Sequence, residues 1–270
     1  MKIAFCLHGL VGSQVVKYGS VHKGENIDTK ISYKYYKKNI LDLYKGKIDI
    51  FLHSQSYEEK NKLLKLYKPK LHKIEKKKFF NYSINHPHLK RLKLLKLKMY
   101  IEKIFGIKNS EKKYNYLTKK AYAAYSRWYS FREVIKLKKR YELKKNFKYD
   151  LVFITRYDLI IKKKFYLHSF DQSKLTISNH NTIPGPRNFY KTKPLKNNRT
   201  TTKGISDLWF ASSSINMDKF SLLFNRIRYY PLSSHFSSYN HAQHINLNLD
   251  FRYFRYFDFE LFRRIKKSKE

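Results

Sequence analysis

Residues Lys148–Ile161 read KYDLVFITRYDLII, and no other stretch of the chain restricts its fold as strongly. Leu151, Val152, Phe153 and Ile154 form an apolar, largely β-branched run, the pattern of a strand buried on both faces. A lone Asp150 opens the run and Arg156-Tyr157-Asp158 closes it. A guanidinium and a carboxylate at the end of a buried strand are costly to desolvate without partners. In open α/β sheets, ligands sit beyond the carboxyl ends of the strands. Arg156 and Asp158, two residues apart, share one side if the strand geometry continues. Two readings follow from that spacing. Asp158 binds a divalent cation while Arg156 meets a phosphate, or the two tie off the strand as an ion pair.

Apolar runs and turn signals place the rest of the chain around this strand. Lys2–Leu7 reads as a first strand, followed by a turn at His8-Gly9-Leu10-Val11-Gly12-Ser13. Its glycines allow close backbone approach to a ligand, but the spacing is not GxGxxG, so no dinucleotide fingerprint is present. Tyr33–Tyr44 has helical spacing, and Lys47–His53 is the next strand. Strand, helix and strand in succession predict a βαβ unit and a parallel sheet. A helix at Tyr57–Tyr67, a short strand at Leu71–Glu75 and a basic helix at Leu89–Ile104 follow. Ala121–Asn146 is the clearest helix, with Tyr125, Trp128, Tyr129, Val134, Leu137 and Tyr141. Ile160–Leu167 is expected to continue the sheet, and Lys174–Ser178 to add a strand. Asn179–Gly204 is long and polar, the pattern of a lid or an unstructured segment. Ser206–Ser212 is a strand headed by Asp207, and Met217–Arg228 is a helix.

Charge and cysteine content narrow the function classes. The chain carries 59 Lys+Arg against 20 Asp+Glu, a net +39. Such a balance suits nucleic acid or an anionic membrane surface. However, the lysines are spread along the chain, and Lys, Asn, Ile, Tyr and Phe share AT-rich codons. Nucleic acid is therefore not the expected partner, whereas a peripheral contact with an anionic membrane surface is compatible. The basic Leu89–Ile104 helix suits such a surface, or lies solvated on the core. The single cysteine, Cys6, lies in an apolar run and reads as a buried thiol. No stretch approaches the roughly 18 apolar residues of a membrane-spanning helix, so a cytoplasmic, membrane-peripheral protein is expected.

Other side chains carry weaker signals. His235, His241 and His244 form a loose cluster, with His241 and His244 on one helical face. They suit either a further metal ligand or a polar surface. His53 lines a cleft or serves structure. H-E-x-x-H is absent, and Ser212-Ser213-Ser214 lacks a G-x-S-x-G setting, so neither a zinc protease nor a serine hydrolase is supported. Phe251–Phe257 alternates aromatics with arginines, suited to stacking on bases or sugars or to packing on the core.

Four segments in order, MKIAFCLHG, IDIFLHS, YDLVFITRYDL and SDLWFASSSINM, with Trp128-Tyr129-Ser130 ahead of the third, carry a resemblance. They resemble the nucleotide-diphospho-sugar transferases of GT-A fold, nearest to capsule- or polysaccharide-type members with R-x-D in place of D-x-D. The resemblance implies an α/β, Rossmann-like, mostly parallel sheet flanked by helices in a single domain over residues 1–246. A basic aromatic extension over 247–270 would follow. It implies a glycosyltransferase that moves a sugar from a nucleotide-diphosphate donor to a glycan or polysaccharide acceptor. His8 and Gly9 would hold the nucleotide. Arg156 and Asp158 would face the diphosphate, with Asp158 on a divalent cation, Mn²⁺ or Mg²⁺. Asp207 would be the catalytic base or bind acceptor hydroxyls. Arg156 stands where the family carries an acid, so a guanidinium could neutralise phosphate directly.

Overall fold

Seven strands hydrogen-bond into one sheet in the computed structural model, which describes residues 1–11, 16–17, 20–21, 27–78, 80, 90–106, 109–178, 204–230 and 232–261. The chain starts at the centre with β1 (Ile3–Gly9). It steps outward through β4 (Ile48–Ser54) and β5 (Leu71–Ile74), both parallel to their neighbours. It then returns to the other side of β1 with β6 (Leu151–Arg156), again parallel. Beyond β6 comes β9 (Trp209–Ser212), antiparallel to β6 and to β8 (Leu175–Ser178). The edge strand β10 (Leu249–Arg252) runs parallel to β8. The fold is therefore α/β and Rossmann-like, with a mostly parallel sheet and one reversed strand.

Two short ribbons lie outside this sheet. β2 (Val16–Lys17) pairs with β3 (Ser20–Val21). β7 (Leu159–Ile161) pairs antiparallel with β11 (Phe259–Leu261). The expectation that Ile160–Leu167 continues the main sheet is thereby corrected. The chain turns at Tyr157-Asp158, and β7 leaves to meet the C-terminal ribbon. The expected 247–270 extension is corrected as well. β10 and β11 pair with β8 and β7, so residues 249–261 belong to the fold, and 262–270 lie outside the described residues.

Alternation along the strands sends side chains to two cores. Ala4, Cys6, Val152, Ile154 and Phe210 face the long helix α4 (Asn109–Lys145), which follows α3 (Lys90–Ile104). Trp128 and Phe131 of α4 fill that side together with Phe220 of α5 (Ser214–Ser221). The short α6 (Leu223–Arg226) and α7 (Ser234–His244) complete the layer. The opposite face buries Phe5, Leu7, Phe153 and Trp209 in one cluster with Tyr36 of α1 (Thr29–Tyr36) and Leu63 and Tyr67 of α2 (Lys60–Tyr67), Trp209 itself packing against Phe165, Phe170 and Phe254. There Phe5, Phe153 and Trp209 stack in sequence across β1, β6 and β9, at 5.4 and 5.7 Å between centroids. Such pairs contribute about 1 kcal/mol each beyond area burial, and they bind the reversed strand to the parallel pair.

The helices differ from expectation mainly at their ends. α1 begins earlier than Tyr33, capped by Asp28, whose carboxylate accepts from Lys30 N at 3.1 Å. It then widens into a π-turn over Lys37–Leu41. The helix expected over Met217–Arg228 breaks at Leu222 into α5 and α6.

Inside the α4 layer, Lys138 is fully buried. Its ammonium contacts Glu142 at 3.0 Å, Asp218 at 2.7 Å and Ser214 Oγ at 2.5 Å. Glu142 also accepts from Tyr149 N at 2.9 Å, tying the end of α4 to the start of β6. Ser214 is thus a structural hydroxyl.

Candidate functional site

The strand order reverses between β1 and β6, and in open α/β sheets ligands bind at such a switch point, beyond the carboxyl ends of the strands. The register places His8 of β1 directly beside Arg156 of β6. β9 runs the other way, so its amino end, preceded by Asp207, arrives at the same edge. His8, Gly9, Arg156, Asp158 and Asp207 therefore come together at one end of the sheet.

Local structure explains each position. Gly9 ends β1 with φ of 122°, a conformation L side chains rarely adopt. An added Cβ there would meet nothing within 4 Å, so the requirement is conformational rather than steric. The exit of β6 is fastened by Tyr36, whose hydroxyl donates to Arg156 O at 2.5 Å. Tyr157 turns inward and donates to His53 O at 3.3 Å. With Tyr157 turned inward, Arg156 and Asp158 on either side of it pair with each other.

Arg156 grips Asp158 with two hydrogen bonds, Nε to Oδ1 at 2.6 Å and Nη2 to Oδ2 at 2.5 Å. The arginine side chain is 16% exposed and the aspartate 9%. Burial opposes the Arg156 charge, but the Asp158 carboxylate outweighs it and holds the guanidinium protonated. Both Asp158 oxygens are engaged, and no group of three or more His, Cys, Asp or Glu among the described residues is placed to hold a metal. As arranged, this donor set does not fit a divalent cation.

Asp207 forms a second ion pair, with Arg127 of α4 at 3.0 Å. Its other oxygen lies 3.7 Å from His235 Nε2. His235 is itself positioned by Nδ1, which donates to Ile205 O at 2.9 Å. The Ile205 amide donates back to His235 O at 3.1 Å. This reciprocal pair locks the segment ahead of β9 to the start of α7.

His8 lies between the two pairs. Burial holds its imidazole well below the usual histidine range, and Arg127 and Arg156 push the same way. It is neutral near pH 7, packed edge-on to Phe131 at 5.5 Å. Its Nδ1 has no hydrogen-bond partner among the described residues. The arrangement thus offers two fixed guanidinium groups, a neutral imidazole and two carboxylates. It can bind an anionic group and position a proton acceptor beside it.

Some expected candidates serve structure instead. His53 is fully buried with Nε2 3.1 Å from Glu75, and burial lowers its pKa. His241 is buried, accepts from Tyr230 Oη at 3.1 Å and donates to Lys219 O at 3.3 Å. His244 contacts Arg226 on the exposed side. The expected histidine cluster is therefore divided, and of the three only His235 lies beside Asp207. Trp128 donates to Ser237 Oγ at 3.0 Å within the core. Gly12-Ser13 and most of Asn179–Gly204 lie outside the described residues.

Arg127 is the residue that sequence reasoning missed. Its signal is a lone arginine beside Trp128 in an otherwise apolar helical stripe, a position that a solvated basic residue does not occupy. No protein-family model matches this chain, and no curated protein matches it.

Proposed function

We propose that the chain is a glycosyltransferase that uses a nucleotide-diphosphate sugar, with the donor at the switch point between β1 and β6. The observation that carries this reading is Arg156, held by Asp158 at the switch point in register with His8. A prefixed guanidinium suits the charge that develops on a leaving diphosphate, because its orientation costs nothing at the moment of reaction. The mostly parallel sheet agrees with the GT-A-like arrangement implied by the sequence resemblance.

In this reading Asp207 accepts the proton of an acceptor hydroxyl. The acceptor oxygen bonds to the anomeric carbon as the bond from that carbon to the phosphate oxygen breaks. The electron pair stays on the diphosphate, next to Arg156. Arg127 and His235 hold the Asp207 carboxylate in place. We derive no step through a cation, because Asp158 is occupied by Arg156.

A second reading has its own observation: Asp207 is already tied to Arg127, and Asp158 to Arg156. A protein that binds a nucleotide sugar or glycan without transfer would look the same. Calorimetry of wild type, Asp158→Ala and Arg156→Gln against UDP, GDP and CMP, with and without Mn²⁺, tests both. Nucleotide binding lost in the variants, with nucleoside diphosphate released from a sugar donor by wild type, supports the enzyme. Binding without turnover supports the second reading, and no binding to any nucleotide overturns both.

A further inference from the structure

The geometry points to α3 as a docking surface for an anionic lipid bilayer, independently of what the site at Arg156 binds. Among the described residues, α3 packs on α4 through the face that carries Leu95 and Glu102. Leu95 is buried there, and Glu102 accepts from Ser110 N and Ser110 Oγ of α4, both at 2.7 Å. Leu94, Leu97, Tyr100, Ile101 and Ile104 are all exposed, Leu97 by 61% and Ile104 by 78%. Phe105, just past the last turn, is exposed as well.

At 3.6 residues per turn, those five side chains fall within an arc of about 120°, centred roughly opposite the face that holds Leu95 and Glu102. A stripe of that width normally faces a protein core. Here it faces outward. Lysines border it on both sides: Lys98 on one edge, Lys96 and Lys103 on the other, all exposed. Lys98 keeps its ammonium 3.8 Å from Glu102 while remaining 68% exposed.

This is the distribution of a helix lying in a membrane interface. Apolar side chains enter the acyl boundary, and lysines reach back to anionic headgroups. No helix among the described residues is long and apolar enough to cross a membrane, so the contact is with the surface. A second copy of the chain is the main competing occupant. It fits less well, because each copy carries net +39 and would bring lysines against lysines on both flanks. The same charge is complementary to an anionic leaflet.

Flotation with phosphatidylcholine vesicles, with and without about 30% phosphatidylglycerol, tests the assignment. Net charge alone attracts any part of this protein to anionic lipid, so the deciding variants leave charge untouched. We expect wild type to float with the phosphatidylglycerol vesicles at physiological salt. Leu97→Asn/Ile101→Asn should reduce the bound fraction roughly tenfold, with circular dichroism and melting temperature unchanged. Ile104→Asn alone should give a smaller reduction and serves if the double variant misfolds. Equal binding by wild type and the asparagine variants overturns the proposal. So does absence of lipid binding, and so does self-association in sedimentation equilibrium that the double variant abolishes.

Discussion

His8 and Arg156 stand side by side on adjacent parallel strands, paired in register at the carboxyl ends of β1 and β6. Arg156 is held charged by Asp158, and His8 is held neutral by burial and by the nearby guanidinium groups. This end of the sheet therefore contains a guanidinium held charged by its paired carboxylate and, beside it, an imidazole held neutral.

The Arg156–Asp158 pair should matter for stability as well as binding. Removing one partner of a largely buried pair leaves an uncompensated charge, at a cost of about 3 kcal/mol. Urea unfolding of Asp158→Ala should show a loss of that size. Arg156→Met/Asp158→Leu, which removes both charges, should recover most of it. A loss in Asp158→Ala below about 1 kcal/mol would mean the pair is effectively solvated.

Asp207→Asn should separate binding from turnover. It keeps the size of the side chain but loses the proton acceptor. Turnover should fall by about 100-fold or more, the usual scale for a general base, while nucleotide affinity changes little. Arg127→Gln should reduce turnover less, since it displaces the carboxylate without removing it. An Asp207→Asn protein with full activity would exclude Asp207 as the base.

Lys138 predicts a stability effect with no functional counterpart. Lys138→Met would leave Glu142 and Asp218 without their buried cation, and unfolding free energy should drop by about 3–5 kcal/mol. Nucleotide binding by the protein that remains folded should match wild type. Loss of binding with intact stability would contradict the structural role.

Acid should weaken the fold in two steps. Burial lowers His241 to about 4, against 6.5 for the ordinary side chain. Between those values the unfolded chain binds the extra proton, so stability is full above pH 6.5 and declines as pH falls towards 4. The loss reaches about 3 kcal/mol for this histidine. Burial alone would raise Glu75 and Glu133, but His53 and Tyr129 hold Glu75, and Lys73 holds Glu133, at about 2. Their contribution is present above pH 4.5 and is lost only as pH falls towards 2. Chemical denaturation from pH 7.5 to 3.5 should show the first step, and His241→Asn should reduce it without abolishing it, because burial also lowers His8 and His53. A wild-type profile flat between 6.5 and 4 would contradict the buried neutral imidazole.

Much of the sheet was readable from apolar runs. IAFCLHG, IDIFLHS and LVFITR have few alternatives to buried strands, because so many apolar groups in so short a length must be covered on both sides. The R-x-D at the end of the third run marked a candidate site for the same reason: charges there need partners, and Arg156 and Asp158 find each other. Less was readable where pairing is distant. Nothing in WFAS shows that it runs against β6, and nothing in LDFR shows that it closes the sheet beside β8. Strand direction and edge position depend on partners far along the chain, not on local pattern.

By itself, then, the sequence determined an α/β fold with a polar strand exit at Arg156 and Asp158, since periodicity and desolvation cost are local properties. Only the tertiary structure decided the partners. It placed His8 beside Arg156, brought Arg127 from α4 to Asp207, and set His235 beside Asp207 and His241 in the core. It also turned both Asp158 oxygens to Arg156, because a guanidinium within reach satisfies a desolvated carboxylate through two hydrogen bonds at once.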